Sequence, residues 1–354
     1  MLVVRAIQKQ DLDGLMYLAT QVGDGMTTLK PDATMLGNRI AVACDSFAEI
    51  IPPQQRDYLF VLEDTAIGKI VGVSAIKSAV GLEEPFYNYR IGTLVHSSKE
   101  LNVYSRMDTL YLSNDLTGCA ELCSLFLHPD YRSGNNGKLL SKCRFLFIAQ
   151  YPHLFSEKLI AELRGFQHPD GSSPFWDNLG RHFFKMDFNR ADDLSSLGKK
   201  SFIAELMPRH PLYVAYLPQA AQDVIGVVHT ATQPARHLLE QEGLYYEGFV
   251  DIFDAGPVLQ ARVNELRSLR SSELVDVVDV VEAVSSGSRG TPMLVASTAM
   301  QNYRIIVCDL VPEHGQIQLT TLQQQVLQCP AHQQVRVMSL NPPHPHHPLS
   351  VHKQ

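Results

Sequence analysis

The residues whose types and spacing could do chemistry are concentrated in residues 125–138, which read LFLHPDYRSGNNGK. An apolar run is followed by Arg132, Gly134 and Gly137, and then by a helix-like pattern. Backbone N–H groups at a helix N-terminus, together with the positive end of the helix dipole, bind anions such as a pyrophosphate. Glycines let a ligand approach the backbone closely. The segment predicts an anion site, although an ordinary strand-to-helix connection gives the same pattern.

Two other phosphate-binding loops match this segment poorly. Gly137 and Lys138 are followed by Leu139, where a nucleoside-triphosphate loop needs a Ser or Thr hydroxyl. The glycine spacing also differs from that of a dinucleotide site, and the preceding residues predict an antiparallel hairpin, not a repeated βαβ unit. Kinase-like chemistry and dinucleotide binding are therefore disfavoured.

Composition limits the protein classes that fit the chain. Its 354 residues are 45% hydrophobic and 19% charged, which predicts a packed globular protein of two units. A formal net charge of −7 gives no field that would attract nucleic acid or an anionic membrane. The chain begins without a signal-peptide pattern, and its six cysteines form no CxxC pair. We expect a cytoplasmic protein with reduced thiols, neither spanning a membrane nor binding nucleic acid.

The elements that must position the glycine loop follow from the hydrophobic periodicity. A strand and two helices are expected first, then a hairpin turning near Gly68, and a long apolar strand directly before the loop. The expected elements are a strand at 2–7, helices at 11–22 and 33–50, strands at 58–62, 70–76, 89–95, 109–112 and 120–127, and helices at 138–150, 174–184 and 234–241.

The last hundred residues are rich in short β-like runs, at 275–284, 293–297, 303–310, 316–320 and 334–338. They predict a small β-rich domain at residues 256–340, after a first region at 1–255. Residues 341–354 contain repeated Pro and His and predict a flexible tail.

The order of elements and the glycine loop resemble the GNAT superfamily of acyl-CoA N-acyltransferases, whose loop usually reads Arg/Gln-x-x-Gly-x-Gly/Ala. Arg132 and Gly137 match this pattern, whereas Asn135 stands at the first glycine and Gly134 lies one place earlier. The resemblance implies an α+β fold with a mixed, mostly antiparallel sheet flanked by helices. It also implies that the loop N–H groups, with Arg132, Gly134 and Gly137, bind the pyrophosphate of coenzyme A.

In the same superfamily, the strand before the loop faces the reacting part of the cofactor. By resemblance, the backbone of Leu125 and Leu127 would face the thioester and the pantetheine arm. An amine that attacks a thioester develops an oxyanion, which a fixed backbone N–H can stabilise. Leu125 is the candidate donor of that hydrogen bond.

Longer motifs resemble the arginine N-succinyltransferase family, and the resemblance covers residues 1–340. They are SPFWDNLGRHFF at 173–184, IAELMPRHP at 203–211, VVHT at 227–230 and VDIFDAGP at 250–257. The family implies succinyl transfer from succinyl-CoA to the α-amine of L-arginine, with His229 as proton donor and Leu125 in contact with the acyl-CoA. It implies no permanently bound cofactor and calls for no metal. Some members come as two related chains, so both homo- and hetero-oligomers stay open.

Two further residues have catalytic roles to test. An imidazole titrates near neutral pH, so His229 could protonate the departing thiolate; the pattern alone favours a structural histidine, and the family resemblance reverses that preference. Glu121 lies four residues before Leu125, which on a regular strand places both on one face, and it resembles the catalytic glutamate of some histone acetyltransferases. It is a candidate base for the amine, or else a partner of a guanidinium or neighbouring cation.

Recognition of arginine needs carboxylates for its guanidinium and cations or N–H groups for its carboxylate. Asp251, Asp254 and Glu205 are candidates for the first role, and Arg181 or Arg209 for the second. Alternatives are the same scaffold acting on ornithine or with another acyl-CoA, and a non-catalytic subunit that binds acyl-CoA or arginine.

Overall fold

A computed structural model describes residues 1–22, 26, 28–188, 190, 191, 194, 201–208, 210–278 and 290–342. The predicted tail lies outside these residues beyond 342, as does part of the predicted strand at 275–284. The strands are β1 (Leu2–Ala6), β2 (Asp57–Asp64), β3 (Lys69–Lys77), β4 (Asn88–Ser98), β5 (Val103–Ser113), β6 (Ala120–Leu127), β7 (Lys158–Glu162), β8 (Leu212–Tyr213), β9 (Tyr245–Asp251), β10 (Pro257–Arg262), β11 (Glu273–Val278), β12 (Thr291–Ser297), β13 (Arg304–Leu310), β14 (Gln316–Gln318) and β15 (Gln334–Ser339).

Those described helices that the sequence predicted begin and end close to their predicted bounds. They are α1 (Leu12–Thr20), α2 (Ala33–Phe47), α3 (Asn136–Gln150), α4 (Pro174–Asn178), α5 (Gly180–Phe184), α6 (Ser201–Leu206), α7 (Gln219–Gln222), α8 (Gln233–Glu242), α9 (Arg267–Ser271) and α10 (Thr321–Leu327). The single helix expected at 174–184 is two short helices, because Leu179 interrupts the helical backbone with φ −133° and ψ −72°. None of the described helices has the length and apolar character needed to cross a bilayer.

The fifteen strands of the described residues form one sheet, in the order β14-β11-β15-β12-β13-β1-β2-β3-β6-β7-β10-β9-β4-β5-β8. Neighbouring strands are antiparallel except for two pairs, β6 with β7 and β11 with β14. The prediction of a mixed, mostly antiparallel sheet flanked by helices is confirmed.

Helices cover both faces of the central strands. On one face, α1 and α2 bury Leu15, Leu18 and Ile40 against Leu59 and Val73 of the sheet. On the other face lies α3, whose residues from Leu139 to Ala149 are all buried. This helix is enclosed because it contacts β3 and β6 as well as α8, α9 and β12. Its fixed position sets the place and direction of its N-terminus.

The C-terminal strands β11 to β15 extend the sheet beyond β1 and have their own apolar cluster, which includes Val275, Val295 and Val337. Strand β10, which begins at Pro257 beside the expected boundary, pairs with β7 and β9 instead. The division at residue 256 stays a prediction. The six cysteines are free thiols, as expected.

The parallel strands β6 and β7 separate soon after they begin. They pair only through Ala120 with Leu159 and through Glu121 with Ile160. On its other edge, β6 stays paired with β3 as far as Leu127. A gap therefore opens beside the second half of β6, directly before the glycine loop.

Candidate active site

A cavity of about 980 Å³ occupies the gap between β6 and β7. Its wall includes Leu125 and Leu127 of β6, Ala161 of β7, Leu140 of α3 and Ala235 of α8. The volume falls at the upper end of the range typical of cofactor and small-molecule sites. Because the strands diverge here, the cavity has backbone from β6 along one side.

One end of the cavity is formed by Leu125, Leu127, Gly134, Gly137 and Lys138, and we call it the donor end. Gly134 has φ +56°, a left-handed conformation that favours glycine, and a Cβ there would meet no atom within 4 Å. Gly137 lies in the first turn of α3, where the backbone N–H groups have no acceptor within the helix. The loop is therefore open and leads into helix N–H groups that lack an intrahelical acceptor, a geometry suited to an anion, and the anion site itself stays a prediction.

Arg132 lines the cavity and also stabilises the glycine loop. Its Nε donates to the carbonyl of Leu127 at 2.9 Å, and its guanidinium lies 5.6 Å from the ring centroid of Phe126. These contacts connect the end of β6 to the loop that follows, so Arg132 sets the path of the loop.

A β-bulge changes the orientation of β6 at Ser124. Ser124 has φ +53°, and neither it nor Leu125 has a register partner on β3 or β7. Leu122 packs in the same apolar cluster as Leu125, whereas Cys123 packs against the α1 and α2 side. An inserted residue reverses the alternation of a strand. The backbone of Leu125 thus has no pairing partner in the sheet and lies beside the cavity.

The expectation that Glu121 shares a strand face with Leu125 was therefore wrong, because the bulge lies between them. Glu121 is nevertheless buried in the cavity wall, opposite Lys77 on β3. Burial opposes the charged form of Lys77, but the neighbouring Glu121, Cys123 and Asp57, of which Glu121 contributes most, together outweigh it and the pKa of Lys77 is raised. A cation therefore lies beside Glu121, which keeps the ion-pairing alternative open.

His229 is not part of the cavity wall but lies next to it in the chain, two residues before the wall residue Ala231. The ring Nδ1 of His229 accepts a hydrogen bond from the backbone N–H of Ala231 at 3.2 Å. The backbone N–H of His229 donates to the backbone carbonyl of Arg164 at 2.9 Å. With Nδ1 as acceptor, the neutral ring carries its proton on Nε2. Burial, and then the Arg164 guanidinium, lowers the pKa of His229. The other six predicted site residues line the cavity, and His229 adjoins that wall in the chain.

A second part of the cavity wall is formed by Glu121, Glu162, Asp251 and Asp254, and we call it the acceptor end. Asp254 accepts from the N–H groups of Gly165 at 2.7 Å and Gly256 at 2.8 Å. A Cβ on Gly165 would lie 2.4 Å from the Asp254 carbonyl oxygen, so the close approach requires glycine.

Asp251 and Asp254 behave as one acidic pair. The Asp251 carboxylate accepts from the N–H groups of Phe253 at 2.6 Å and Asp254 at 2.8 Å. Burial raises the pKa of Asp251, and burial with the neighbouring Asp251 charge raises the pKa of Asp254 well above its ordinary value. Two carboxyl groups this close favour holding a proton between them until a cation arrives.

The other residues considered for arginine lie elsewhere. Glu205 and Arg181 are exposed, and Arg181 pairs with Asp177 and Asp187. Neither is part of the cavity wall. Arg209 is outside the described residues.

Sequence reasoning missed Arg144, Glu162 and Arg164, which all line the cavity. Both nitrogens Nε and Nη2 of Arg164 donate to the side chain of Gln167. Glu162 and Arg164 lie at the end of β7, a five-residue strand that the sequence did not indicate. Arg144 had a visible signal, since it is a charged residue within the apolar run of α3.

The splayed parallel strands, the bulge and the glycine loop at the start of α3 define an acyl-CoA N-acyltransferase of the GNAT type. Enzymes of this class use an acyl-CoA as co-substrate. The family model described as "Arginine N-succinyltransferase beta subunit" matches residues 2–268. The chain belongs to the arginine N-succinyltransferase family.

Relatives and a solved structure agree with this assignment. A protein of Shigella flexneri serotype 5b (strain 8401) named arginine N-succinyltransferase is 46% identical over 347 residues, or 96% of this chain and 98% of the relative. One of the same name from Escherichia coli O139:H28 (strain E24377A / ETEC) has the same identity and coverage. The structure of arginine/ornithine succinyltransferase subunit AI from Pseudomonas aeruginosa aligns with a TM-score of 0.87 at 34% identity, covering 97% of this chain and 99% of that one.

Proposed function

We propose that the chain transfers the succinyl group of succinyl-CoA to the α-amine of L-arginine, giving N2-succinyl-L-arginine and coenzyme A. The observation that carries the proposal is the cavity between β6 and β7, whose wall includes both the donor end and the carboxyl groups of the acceptor end. A cationic amine and an anionic thioester could then meet beside the bulge at Ser124.

At the donor end, the loop and the first turn of α3 would bind the diphosphate of coenzyme A. The pantetheine arm would follow β6 past Leu127 toward Leu125. The free amine attacks the thioester carbonyl carbon, and the oxyanion that forms accepts a hydrogen bond from the Leu125 N–H. The intermediate collapses with cleavage of the C–S bond. An α-ammonium group loses two protons overall, of which one goes to the coenzyme A thiolate and one to solvent.

His229 is suited to move one of these protons. Its lowered pKa keeps the imidazole neutral near pH 7, so it can first accept a proton from the amine. The imidazolium formed in this way is a strong acid and can then protonate the departing thiolate. This is the proton-donor role expected from the family. Glu121 is the candidate for assisting deprotonation of the amine, through its place in the same wall.

Asp251 and Asp254 are our candidates for binding the guanidinium. Both are fixed by backbone N–H groups, so they cannot turn away from the cavity without losing those bonds. A planar guanidinium donates two parallel N–H bonds to carboxylates, and it would displace the proton that the pair holds. Arg164 is placed to attract the α-carboxylate of the substrate.

Ornithine is the second candidate acceptor, and the printed name of the Pseudomonas aeruginosa protein, arginine/ornithine succinyltransferase subunit AI, favours it. The ammonium group of ornithine would bind the same acidic pair as a point charge without the bidentate geometry of a guanidinium. We therefore expect arginine to have the lower KM of the two.

The test is mass spectrometry of the purified chain, alone, with succinyl-CoA or acetyl-CoA and with arginine, ornithine or lysine as acceptor. We expect arginine to gain one succinyl group, with fragmentation placing it on the α-nitrogen. Product formed only with acetyl-CoA, or an acyl group on the side chain, would contradict the proposal. Binding of both substrates without product would favour a non-catalytic subunit.

A further inference from the structure

Arg144 is a buried cation in the wall of the cavity. It lies on α3 and is 2% exposed. Its Nε donates to the Ser141 carbonyl at 3.1 Å, its Nη2 to the Ser141 Oγ at 3.2 Å, and its Nη1 to the Cys123 carbonyl at 3.5 Å. A guanidinium has five N–H donors, so these three contacts leave two for another acceptor.

Every other buried Arg or Lys among the described residues contacts a carboxylate. Arg5 pairs with Asp11, Arg56 with Glu49, and Lys142 and Arg267 both with Glu242. Within the described part of the chain, no Asp or Glu forms such a pair with Arg144. Arg144 therefore stands apart from the other buried cations by having neutral partners.

An unpaired buried charge is unfavourable because it has lost its hydration without gaining a counter-ion. Burial lowers the pKa of Arg144, and its nearest titratable neighbours are the thiols of Cys143 and Cys123. A guanidinium stays protonated even so. A bound anion in the cavity would supply the missing negative charge.

The position of Arg144 indicates which anion that is. Its contact on β6 is the carbonyl of Cys123, two residues before Leu125, where the thioester is expected. The Ser124 bulge lies between them, so the roughly 6 to 7 Å that two residues of a regular strand span is about the longest separation possible here, and a four-carbon acyl group followed by one hydrogen bond can cover it. Arg144 thus lies beyond the thioester, on the side away from the glycine loop.

The other Arg and Lys side chains of the cavity wall lie away from the expected acyl group or already donate hydrogen bonds to other residues. Lys138 is half-buried at the loop and donates to Asn341, and Arg132 donates to the Leu127 carbonyl. Arg164 bonds Gln167 beside His229, near the acceptor end.

We propose that Arg144 binds the free carboxylate of the succinyl group and thereby selects a dicarboxylic over a monocarboxylic acyl-CoA. The inference rests on the proposed succinyl transfer and names the residue that gives it donor specificity. Two N–H groups of the guanidinium are available to form parallel bonds with the carboxylate.

The test is donor preference, measured as kcat/KM for succinyl-CoA relative to butyryl-CoA, whose acyl chain ends in a methyl group instead of a carboxylate. Arg144→Met should lower this ratio by on the order of 100-fold or more, mainly by impairing use of succinyl-CoA. Arg144→Lys, which keeps the charge but not the forked geometry, should give an intermediate ratio. An unchanged ratio in Arg144→Met would overturn the inference.

Lys142→Met is the matched control, since Lys142 is an equally buried cation on the same helix but is paired with Glu242 at 3.0 Å. It should lower Tm and leave the donor ratio unchanged. Arg144→Met should keep or raise Tm, because it removes a buried charge that lacks a counter-ion.

A measurement on the unaltered chain decides the matter if the variants do not fold. Succinate added with coenzyme A should raise Tm beyond coenzyme A alone, and butyrate at the same concentration should not; equal shifts would refute the inference. The unaltered chain also separates this inference from the proposed function. If it prefers butyryl-CoA or acetyl-CoA, the proposed donor is wrong, whereas a succinyl preference that survives in Arg144→Met contradicts the role of Arg144 alone.

Discussion

The donor end and the acceptor end of the cavity are built by different means. The donor end is formed largely by backbone within residues 125–138, and its glycines let N–H groups face a ligand. The acceptor end collects carboxyl side chains from β6, β7 and the turn after β9, and backbone N–H groups hold two of them in place. Diphosphate binding needs exposed backbone dipoles, whereas recognition of a guanidinium needs placed charges. Substitutions should accordingly affect one end without the other.

His229, next to the cavity wall in the chain, should give the largest effect on turnover and little effect on binding at either end. His229→Gln should lower kcat by about 10²- to 10⁴-fold, since a general acid–base group contributes about that much. The Km for arginine should stay within a few-fold. Steady-state kinetics checks this against His182→Gln, an exposed histidine on α5.

The pH profile provides an independent check on His229. Because its pKa is lowered from the ordinary value of 6.5, the acid limb of kcat/KM for succinyl-CoA, measured with arginine saturating so that the Asp251 and Asp254 pair is already ionised, should fall below pH 6.5 in the unaltered chain. That limb should be lost in His229→Gln. Turnover close to normal in this variant would remove His229 from the mechanism.

At the donor end, Gly137→Asp should weaken coenzyme A binding by at least about 100-fold, because a carboxylate would face the diphosphate in the first turn of α3. Titration calorimetry with coenzyme A measures this. The matched control is Gly37→Asp on α2, where an added Cβ meets no atom within 4 Å. Unchanged affinity in Gly137→Asp would mean that the cofactor binds elsewhere.

At the acceptor end, Asp251→Asn should raise the KM for arginine by about 30-fold or more and leave the KM for succinyl-CoA unchanged. Asp223→Asn, on the surface, is the control. Equal changes in both KM values would show that Asp251 supports the fold of the cavity and not one substrate.

The Asp251 and Asp254 pair also predicts a pH dependence. The pKa of each carboxyl is raised, so the free pair holds a proton at pH values where an ordinary aspartate is ionised. A guanidinium binds the ionised form, so the KM for arginine should fall as pH rises through the raised pKa. Arginine binding should release a proton, which calorimetry in buffers of different ionisation enthalpy detects.

The smallest effect concerns the loop backbone. Gly134→Ala should cost about 1 kcal/mol of stability, because alanine tolerates the left-handed conformation poorly even where space is open. Gly37→Ala, in a helix, should stabilise the protein by a similar amount. Denaturant unfolding compares the two. If both substitutions changed the free energy of unfolding in the same direction, the left-handed conformation assigned to Gly134 would be contradicted.

The difference between the two ends also explains what the sequence could predict. The donor end follows from one local order of strand, loop and helix, so β6, α3 and its glycine loop were predicted close to their observed bounds. The acceptor end depends on β7, β9 and β10, which were not predicted as strands. Strand β9 is partly exposed and carries polar residues, and β7 has only five residues, so neither gives a clear periodic pattern.

Features that depend on a single residue could not be predicted from the sequence for a related reason. The bulge at Ser124 reverses the faces of β6, and no glycine or proline marks it, so Glu121 was placed on the wrong face. The position of Asp251 and Asp254 in the wall depends on contacts with Gly165, 89 residues before Asp254. Such long-range contacts are set by the folded sheet and not by local spacing.

The most direct test of the two-ended cavity is a crystal structure of the chain with coenzyme A and L-arginine bound together. We expect the diphosphate against the N–H groups of the loop and first turn of α3, the thiol beside Leu125, and the guanidinium against Asp251 and Asp254. Arginine bound in the reverse direction, or coenzyme A outside the gap between β6 and β7, would contradict this account.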